Sequence, residues 1–548
     1  MKWDCDMALN RSKNMKEEGL TATVALAMAF YEQTGLRELI DSKFDIDCRQ
    51  KLTPGNAVKA LIGDMMGLEG RRPLYSVHNP FKTAPNDLLF GEKVDIKSLG
   101  GTAFSRNLDQ LFTLDLPGLT YECYELLART YALTSRVFNI DTTNWTITPV
   151  SKDADVEGAA VPERCGHAKD GHNDRLVYTL LSITDENGVV CYERPYDGST
   201  MDCVMDRDAI EFLSENVDPK DVTLIGDCKF ATEPLVELMM EKGFGFVTKC
   251  PKRFGQKAQE RVIELVESKV MEPSSVRDGW EIYDMDMECN GTTLRFVAYR
   301  TSKDIDASVQ YYREQGLKEA NALFNRFSSK MYNCEEDARR DLDDILSRHT
   351  DSAYIPHCDI VPMEVNKGYG HRGRPRKGEK PVIKTEYKVD VELEFDESIA
   401  KRMSKERSVR VLVTNLPRSD VDKDNLRDGA TADAVLLSYL DQYMIEHAFR
   451  LMKDGMRIGR VYIHRPSREN AMSFVCSLAT MMTDVIDHVL KSKGIDMTFC
   501  RIVDELSRLD LRYDRENGEE YLSGSSDSID LFMDVVDALG IDTDHLIH

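Results

Sequence analysis

The chain has 548 residues, of which 42% are hydrophobic and 30% charged, and a formal net charge of −24. Its length exceeds what one hydrophobic core supports, so roughly two to four domains are expected. No run of about 18 apolar residues is read as a membrane span, and the charged N-terminus (Met1 to Gly19) lacks the apolar segment of a secretion signal. The expectation is a cytoplasmic protein with no membrane partner. Thirteen cysteines, scattered singly and without a C-x-x-C pair, argue against a disulfide framework and a zinc ribbon. Cys165, His167 and His172 come nearest to a zinc cluster, but their spacing fits no standard site and a fourth ligand is missing.

Residues 1–132 read as a helical N-terminal domain, with apolar periodicity in Ala22 to Tyr31, Asn56 to Met66 and Tyr121 to Leu133 and a polar interruption near Asn79 to Asp87. A helix-turn-helix for DNA ends and a plain helical bundle both remain open for it. From Arg136 the pattern turns to β-rich runs: Val137 to Asp141, Leu176 to Thr184 and Val189 to Arg194. The last two are joined through Asn187-Gly188, a dipeptide suited to a type I′ hairpin turn. A helix (Asp202 to Asn216), a strand (Val222 to Ile225), a helix (Thr232 to Lys242) and a strand (Phe244 to Thr248) follow. The order βββ-α-β-α-β, with a further helix downstream, is that of a ribonuclease H-like core in a mixed α+β protein. Its first part is taken as 133–250.

Residues 251–428 read as an inserted domain. It holds a basic segment, strands such as Thr292 to Tyr299, a long charged helical stretch from Ser308 to Ser347, and strands at Val382 to Glu394 and Ser408 to Thr414. Residues 429–494 are expected to complete the core with helices Thr431 to Asp454 and Ser467 to Lys493, and 495–548 to form a helical tail. No internal repeat is evident.

Asp141 ends Arg136-Val-Phe-Asn-Ile-Asp and Asp227 ends Val222-Thr-Leu-Ile-Gly-Asp, so each acid is expected at the tip of a buried strand. A carboxylate there must be paired, hydrogen-bonded or metal-bound, because a lone buried charge is costly; a cap or turn at a strand end is the ordinary alternative. On a continuous helix Tyr439, Gln442, Glu446, Arg450 and Lys453 fall within roughly 80° of arc, a narrow polar stripe on an otherwise apolar surface. An amphipathic helix with Glu446–Arg450 pairing is the plainer account of the same spacing. His447 lies off the stripe and is expected to pack.

These residues bring out a family resemblance. The chain is similar to the IS4-like DDE transposases, particularly the IS1634 group, whose signature is Tyr, two residues, Arg, three residues, Glu, six residues, Lys. Here Tyr439, Gln442, Glu446 and Lys453 stand at that spacing, with Gln442 in place of the usual arginine. Ile140-Asp141-Thr142-Thr143, Gly166-His167-Ala168-Lys169-Asp170, Val413-Thr414-Asn415-Leu416 and His464-Arg465-Pro466 also resemble segments of that group.

The resemblance implies Asp141, Asp227 and Glu446 as catalytic carboxylates holding two Mg²⁺ or Mn²⁺ ions, with no small-molecule cofactor. It implies cleavage at transposon ends and transfer of the freed 3′-OH into target DNA, by a homodimer that pairs the two ends. Tyr439, Gln442, Arg450 and Lys453 would face phosphate, and His167, Lys169 and Asp170 would border the active site. His371-Arg372-Gly373-Arg374-Pro375-Arg376-Lys377 is similar to an AT-hook, whose arginines fit a narrow minor groove; a basic disordered loop is the alternative. Trp280 is open to base stacking or to a core role.

The net charge opposes DNA binding, since DNA binders displace counterions with basic surface. Local patches at Lys249 to Arg261 and Arg372 to Lys380 answer that objection. The competing readings are a transposase-derived DNA-binding protein without catalysis, a metal-dependent nuclease that does not join strands, and a helical scaffold with coincidental acids.

Overall fold

The computed structural model describes residues 18–67, 74–147, 164–165, 176–267, 269–289, 291–327, 329–349, 352–369, 371, 374–452, 465–543 and 546–547. The chain is a mixed α/β protein that divides into two compact units. One comprises residues 1–248, 415–430 and 437–548, and the other residues 249–414 and 431–436.

In the first unit the sheet forms where the sequence turns β-rich. Strand Val137–Ile147 pairs antiparallel with Leu176–Thr184, which pairs antiparallel with Val190–Asp197. On its other side Val137–Ile147 pairs parallel with Thr223–Gly226, and that strand pairs parallel with Gly245–Lys249. Each parallel step crosses a helix, Asp202–Asn216 and then Glu233–Lys242, as parallel strands require. Every residue of Thr223–Gly226 is buried, which fits a central strand covered on both faces.

The hairpin between Leu176–Thr184 and Val190–Asp197 differs from the type I′ expectation. Only Gly188 takes positive φ, at 82°; Gly188 N donates to Asp185 O at 3.0 Å and Asp185 N to Val189 O at 3.0 Å. This is a three-residue loop with the glycine in the left-handed position. Asp185 is the cause: its carboxylate accepts from the Asn187 and Val189 backbone N–H groups, both at 2.9 Å.

Helices Ala22–Gln33, Pro54–Met66, Gly101–Leu111 and Leu116–Tyr131 are the longest elements of the N-terminal region. Its first strand, Glu18–Thr21, pairs with Asp510–Asp514, which pairs with Glu519–Ser523. The tail is therefore not purely helical: a β-hairpin separates helices Phe499–Glu505 and Ser526–Leu539. Helix Pro466–Ser492 is long and apolar enough by composition to cross a membrane, against the reading of the sequence, yet 89% of its most apolar window is buried inside the fold.

The second unit holds the antiparallel strands Trp280–Cys289, Thr292–Thr301 and Arg410–Thr414. The charged stretch expected as one helical run is broken into Ser302–Tyr311, a π-helical turn Tyr312–Gly316, Leu317–Phe324 and Glu335–Arg348. The break lets Phe324, Phe327, Tyr332, Leu342 and Ile345 fold back onto Val389 as a small core. Val389 belongs to a 13-residue ribbon, Tyr354–Asn366 paired with Ile383–Phe395.

Candidate functional site

The last parallel pair between the two central strands is Ile140 with Gly226, and Asp141 and Asp227 are the residues that follow on either strand. Parallel neighbours lie about 4.8 Å apart, so register alone sets these two acids side by side. Asp141 is not at a strand end as expected: its strand runs on to Ile147 against Leu176–Thr184. It stands where the strand loses its parallel partner and keeps its antiparallel one.

Asp227 opens a tight turn. Its Oδ1 accepts from Lys229 N at 2.7 Å, and its backbone oxygen accepts from the Thr248 hydroxyl at 2.7 Å. Gly226 is required before it, because a Cβ there would lie 2.5 Å from the Phe230 ring.

Two further acids join this pair that sequence reasoning passed over. Asp202 and Asp206 lie one turn apart at the start of helix Asp202–Asn216, which packs on the Asp141 strand and its neighbour. Lys229 Nζ meets Asp202 Oδ2 at 2.7 Å; that contact first, and then the charges of Asp202, Asp227 and Asp141, raise the Lys229 pKa. Asp206 is only 6% exposed. Burial first, then the charges of Asp227, Asp202 and Asp141, push its carboxyl up to about 8, against the pull of Lys229. The signal was present in the sequence: Met205, Ala209, Ile210 and Leu213 form the buried stripe of this helix, and Asp206 interrupts it.

Glu446 is placed differently. The expected single helix is two, Ala432–Leu440 and Tyr443–Arg450. At the junction Gln442 N donates to Tyr439 O and Ile445 N to Gln442 O, both at 3.2 Å. Such three-residue turns advance about 120° per residue instead of 100°, so Tyr439 and Gln442 leave the stripe that Glu446 and Arg450 share. The second helix buries Ile445, Ala448 and Phe449 and packs on the Asp141 strand and on Leu176–Thr184. Glu446, Arg450 and also His447, which was expected to pack, are exposed, while Tyr439 and Gln442 are half-buried.

Among the described residues no three His, Cys, Asp or Glu side chains converge closely enough to hold a metal ion. The donor chemistry still suits a hard divalent cation, since Asp141, Asp227, Asp202 and Asp206 offer only carboxylate oxygens. His167, His172, Lys169, Asp170, Lys453 and Arg372 lie outside the described residues.

Arg374 and Arg376 are exposed in the loop that closes the 13-residue ribbon, where Glu379 accepts from Arg376 N at 2.8 Å and meets His371 Nε2 at 3.1 Å. In the other basic patch Lys252, Arg253 and Lys257 are exposed. Trp280 stacks on Tyr299 with ring centroids 5.7 Å apart, and Arg277 lies over its ring. A cavity of about 740 Å³ lies along the outer strand, lined by Tyr192, Glu193, Arg194, Phe212 and Asn470 among others; none of Asp141, Asp227 and Glu446 lines it.

Residues 20–123 match a family described as a domain of unknown function (DUF4277). No curated protein matches the chain. Among solved structures the chain is similar to a Mos1 transposase paired-end complex with left transposon end, at 12% identity over 33% of this chain and 60% of that one, with a TM-score of 0.14. It is similar at the same identity and TM-score to a Mos1 mariner paired end complex with Mn, over 39% of this chain and 65% of that one. The chain thus spans less than two thirds of the length of these proteins, and a TM-score of 0.14 defines no shared fold.

Proposed function

We propose that the chain is a DDE-type DNA transposase of the IS4-like kind, built on a ribonuclease H-like core, that cuts DNA at the ends of its element and joins the freed 3′-OH to target DNA. The observation that carries the reading is the placement of Asp141 and Asp227 directly after the last parallel pair of two central strands, with the helix of Glu446 packed on the strand of Asp141. The order of three antiparallel strands, helix, strand, helix, strand supports it, as do the motifs that resemble the IS1634 group.

In this reading Asp141, Asp227 and Glu446 would hold two Mg²⁺ or Mn²⁺ ions. When bound, the ions supply activation of the attacking oxygen and stabilisation of charge on the transferring phosphoryl group. Cleavage forms a bond from a water oxygen to phosphorus and breaks the bond from phosphorus to O3′, leaving a 3′-OH. Joining forms a bond from that O3′ to a target phosphorus and releases the target's own 3′ oxygen.

Arg450 and Lys453, with Tyr439 and Gln442, orient the phosphate through charge-assisted contacts. Arg372, Arg374 and Arg376 contact the DNA backbone or minor groove. Residues 1–132 bind the element's ends, His167, Lys169 and Asp170 border the active site, and two copies of the chain pair the ends.

One observation favours a second reading, a DNA-binding protein of transposase descent without catalysis: Glu446 is exposed on a short helix, and no three acids converge among the described residues. Mg²⁺-dependent cleavage and joining of DNA carrying the element's ends, comparing the wild type with Glu446→Gln, separates the two. Cutting and joining by the wild type with binding alone by the variant supports the transposase; binding without cutting by both supports the second reading.

A further inference from the structure

We propose that the cavity along the outer strand Val190–Asp197 binds a small organic cation, an amine or amidine with a flat apolar body, whose charge pairs with Glu193. The site lies apart from Asp141 and Asp227, and the inference does not depend on the transposase reading.

Strand alternation sends Tyr192, Arg194 and Tyr196 to one face and Glu193 to the other. On the first face Tyr192 packs on Phe212 with ring centroids 4.1 Å apart, and Asp208 is satisfied by Arg194 at 3.2 Å and by the Tyr196 hydroxyl at 2.7 Å. Glu193 is treated otherwise. It is only 5% exposed; its Oε1 accepts from the Ser182 hydroxyl at 2.9 Å, while its Oε2 is buried and has no hydrogen-bond partner among the described residues. Glu193 lines the cavity with Asn470, Ser473 and Ser477 of helix Pro466–Ser492.

A buried carboxylate oxygen is unfavourable unless a donor reaches it. Burial pushes the Glu193 carboxyl up to about 8, and a cation beside it counters that shift by favouring the charged form. The rest of the lining selects the same sign of charge. Asp115, Asp197, Asp208, Glu211 and Glu215 stand on its walls against Arg194, and such a field draws cations in.

The walls also offer ring faces, from Tyr192, Tyr196, Phe212 and Phe474 among others. The Arg194 guanidinium already lies 5.4 Å from the centroid of Tyr196, the kind of contact a ligand cation makes with an aromatic ring. A volume of about 740 Å³ is within the range of small-molecule sites.

The test is calorimetric titration of the full-length chain with benzamidine and with neutral benzamide, which share a ring and differ in charge, in the wild type, Glu193→Gln and Thr200→Trp. The glutamine keeps an acceptor for Ser182 and removes the charge. The tryptophan, in the turn after the strand, fills the cavity from its wall. Benzamidine is expected to bind the wild type about tenfold or more tighter than benzamide does, and each substitution to weaken benzamidine by about tenfold. Benzamide should bind Glu193→Gln as it binds the wild type. Should Glu193→Gln fail to fold, the two ligands on the wild type and Thr200→Trp decide the matter. Equal affinity for the two ligands, or no binding of benzamidine, overturns the proposal. Unchanged benzamidine affinity in Glu193→Gln overturns the role of Glu193, and unchanged affinity in Thr200→Trp places the binding outside this cavity. A blocked arginine tripeptide that displaces benzamidine at lower concentration overturns the free cation in favour of a polypeptide side chain.

Discussion

Asp141 and Asp227 on one side and Glu446 on the other are carried by two kinds of structure. The aspartates follow a hydrogen-bonded pair in the middle of a sheet, so their spacing is a property of backbone register. Glu446 sits on an eight-residue helix behind a tight turn, held by Ile445, Ala448 and Phe449 and facing outward. Register moves only in steps of a whole residue, and each step reverses every side chain; a short helix on an apolar face slides and tilts at small cost. On this contrast the sheet is expected to be the rigid half of the candidate site and the helix the adjustable half.

The largest expected effect tests whether both halves serve one chemistry. Asp141→Asn and Asp227→Asn are each expected to lower Mg²⁺-dependent cleavage of the element's ends by on the order of 10³-fold, with DNA binding retained in a gel-shift assay. Glu446→Gln should match them if the helix delivers a third ligand. A fall of less than tenfold for Glu446→Gln, beside full loss for the aspartates, confines the chemistry to the strand tips.

Stability should divide along the same line. Phe138, fully buried on the Asp141 strand, is expected to cost about 3–5 kcal/mol when changed to alanine, by lost burial and the cavity left behind. Tyr443, 60% exposed at the start of the Glu446 helix, should cost within about 0.5 kcal/mol on the same change. Urea unfolding of both variants checks the contrast, and equal losses break it.

Burial also gives the rigid half a pH dependence. Glu193 lies opposite Ser182, which lies opposite Asp141, and the Ser182 hydroxyl donates to Glu193 Oε1 at 2.9 Å. Burial pushes the Glu193 carboxyl from its ordinary 4.5 up to about 8. The folded state therefore keeps a proton that the unfolded chain releases, so the stabilisation is complete below pH 4.5 and is lost as pH rises through 8. Asp185 and Asp487, each raised to about 6 by burial, act in the same direction at lower pH. Glu193→Gln keeps the acceptor for Ser182 and removes the titration. It is expected to flatten the fall in stability between pH 4.5 and 8 by on the order of a few kcal/mol, read from urea midpoints across that range; an unchanged slope rules Glu193 out as its source.

The strand-borne half was legible in the sequence because strand periodicity and a terminal acid are local signals. Leu176–Thr184 and Asp202–Asn216 were read to the residue. The helix-borne half was not, because the turn at Asp441 and Gln442 is set by packing and leaves no proline or glycine to mark it. The hairpin was misread for a related reason: Asn187-Gly188 favours one turn in isolation, but the Asp185 carboxylate beside it organises another. Asp206 was passed over although it was visible as an acid inside an apolar helical stripe.

A small and local effect is expected where the two halves touch. Gly188, in the hairpin that flanks the Asp141 strand, has φ of 82°, and a Cβ there would lie 3.3 Å from Met444 Cβ on the Glu446 helix. Gly188→Ala is expected to cost about 1 kcal/mol for the left-handed backbone conformation. The added methyl also presses on Met444, and the two halves differ in which of them yields. If the helix is the adjustable partner, hydrogen exchange in Gly188→Ala should quicken at the amides of 443–450 and stay unchanged at 138–141 and 223–226. Faster exchange in the strands, with the helix protected as before, reverses the assignment of rigid and adjustable halves and makes the register the part that gives way.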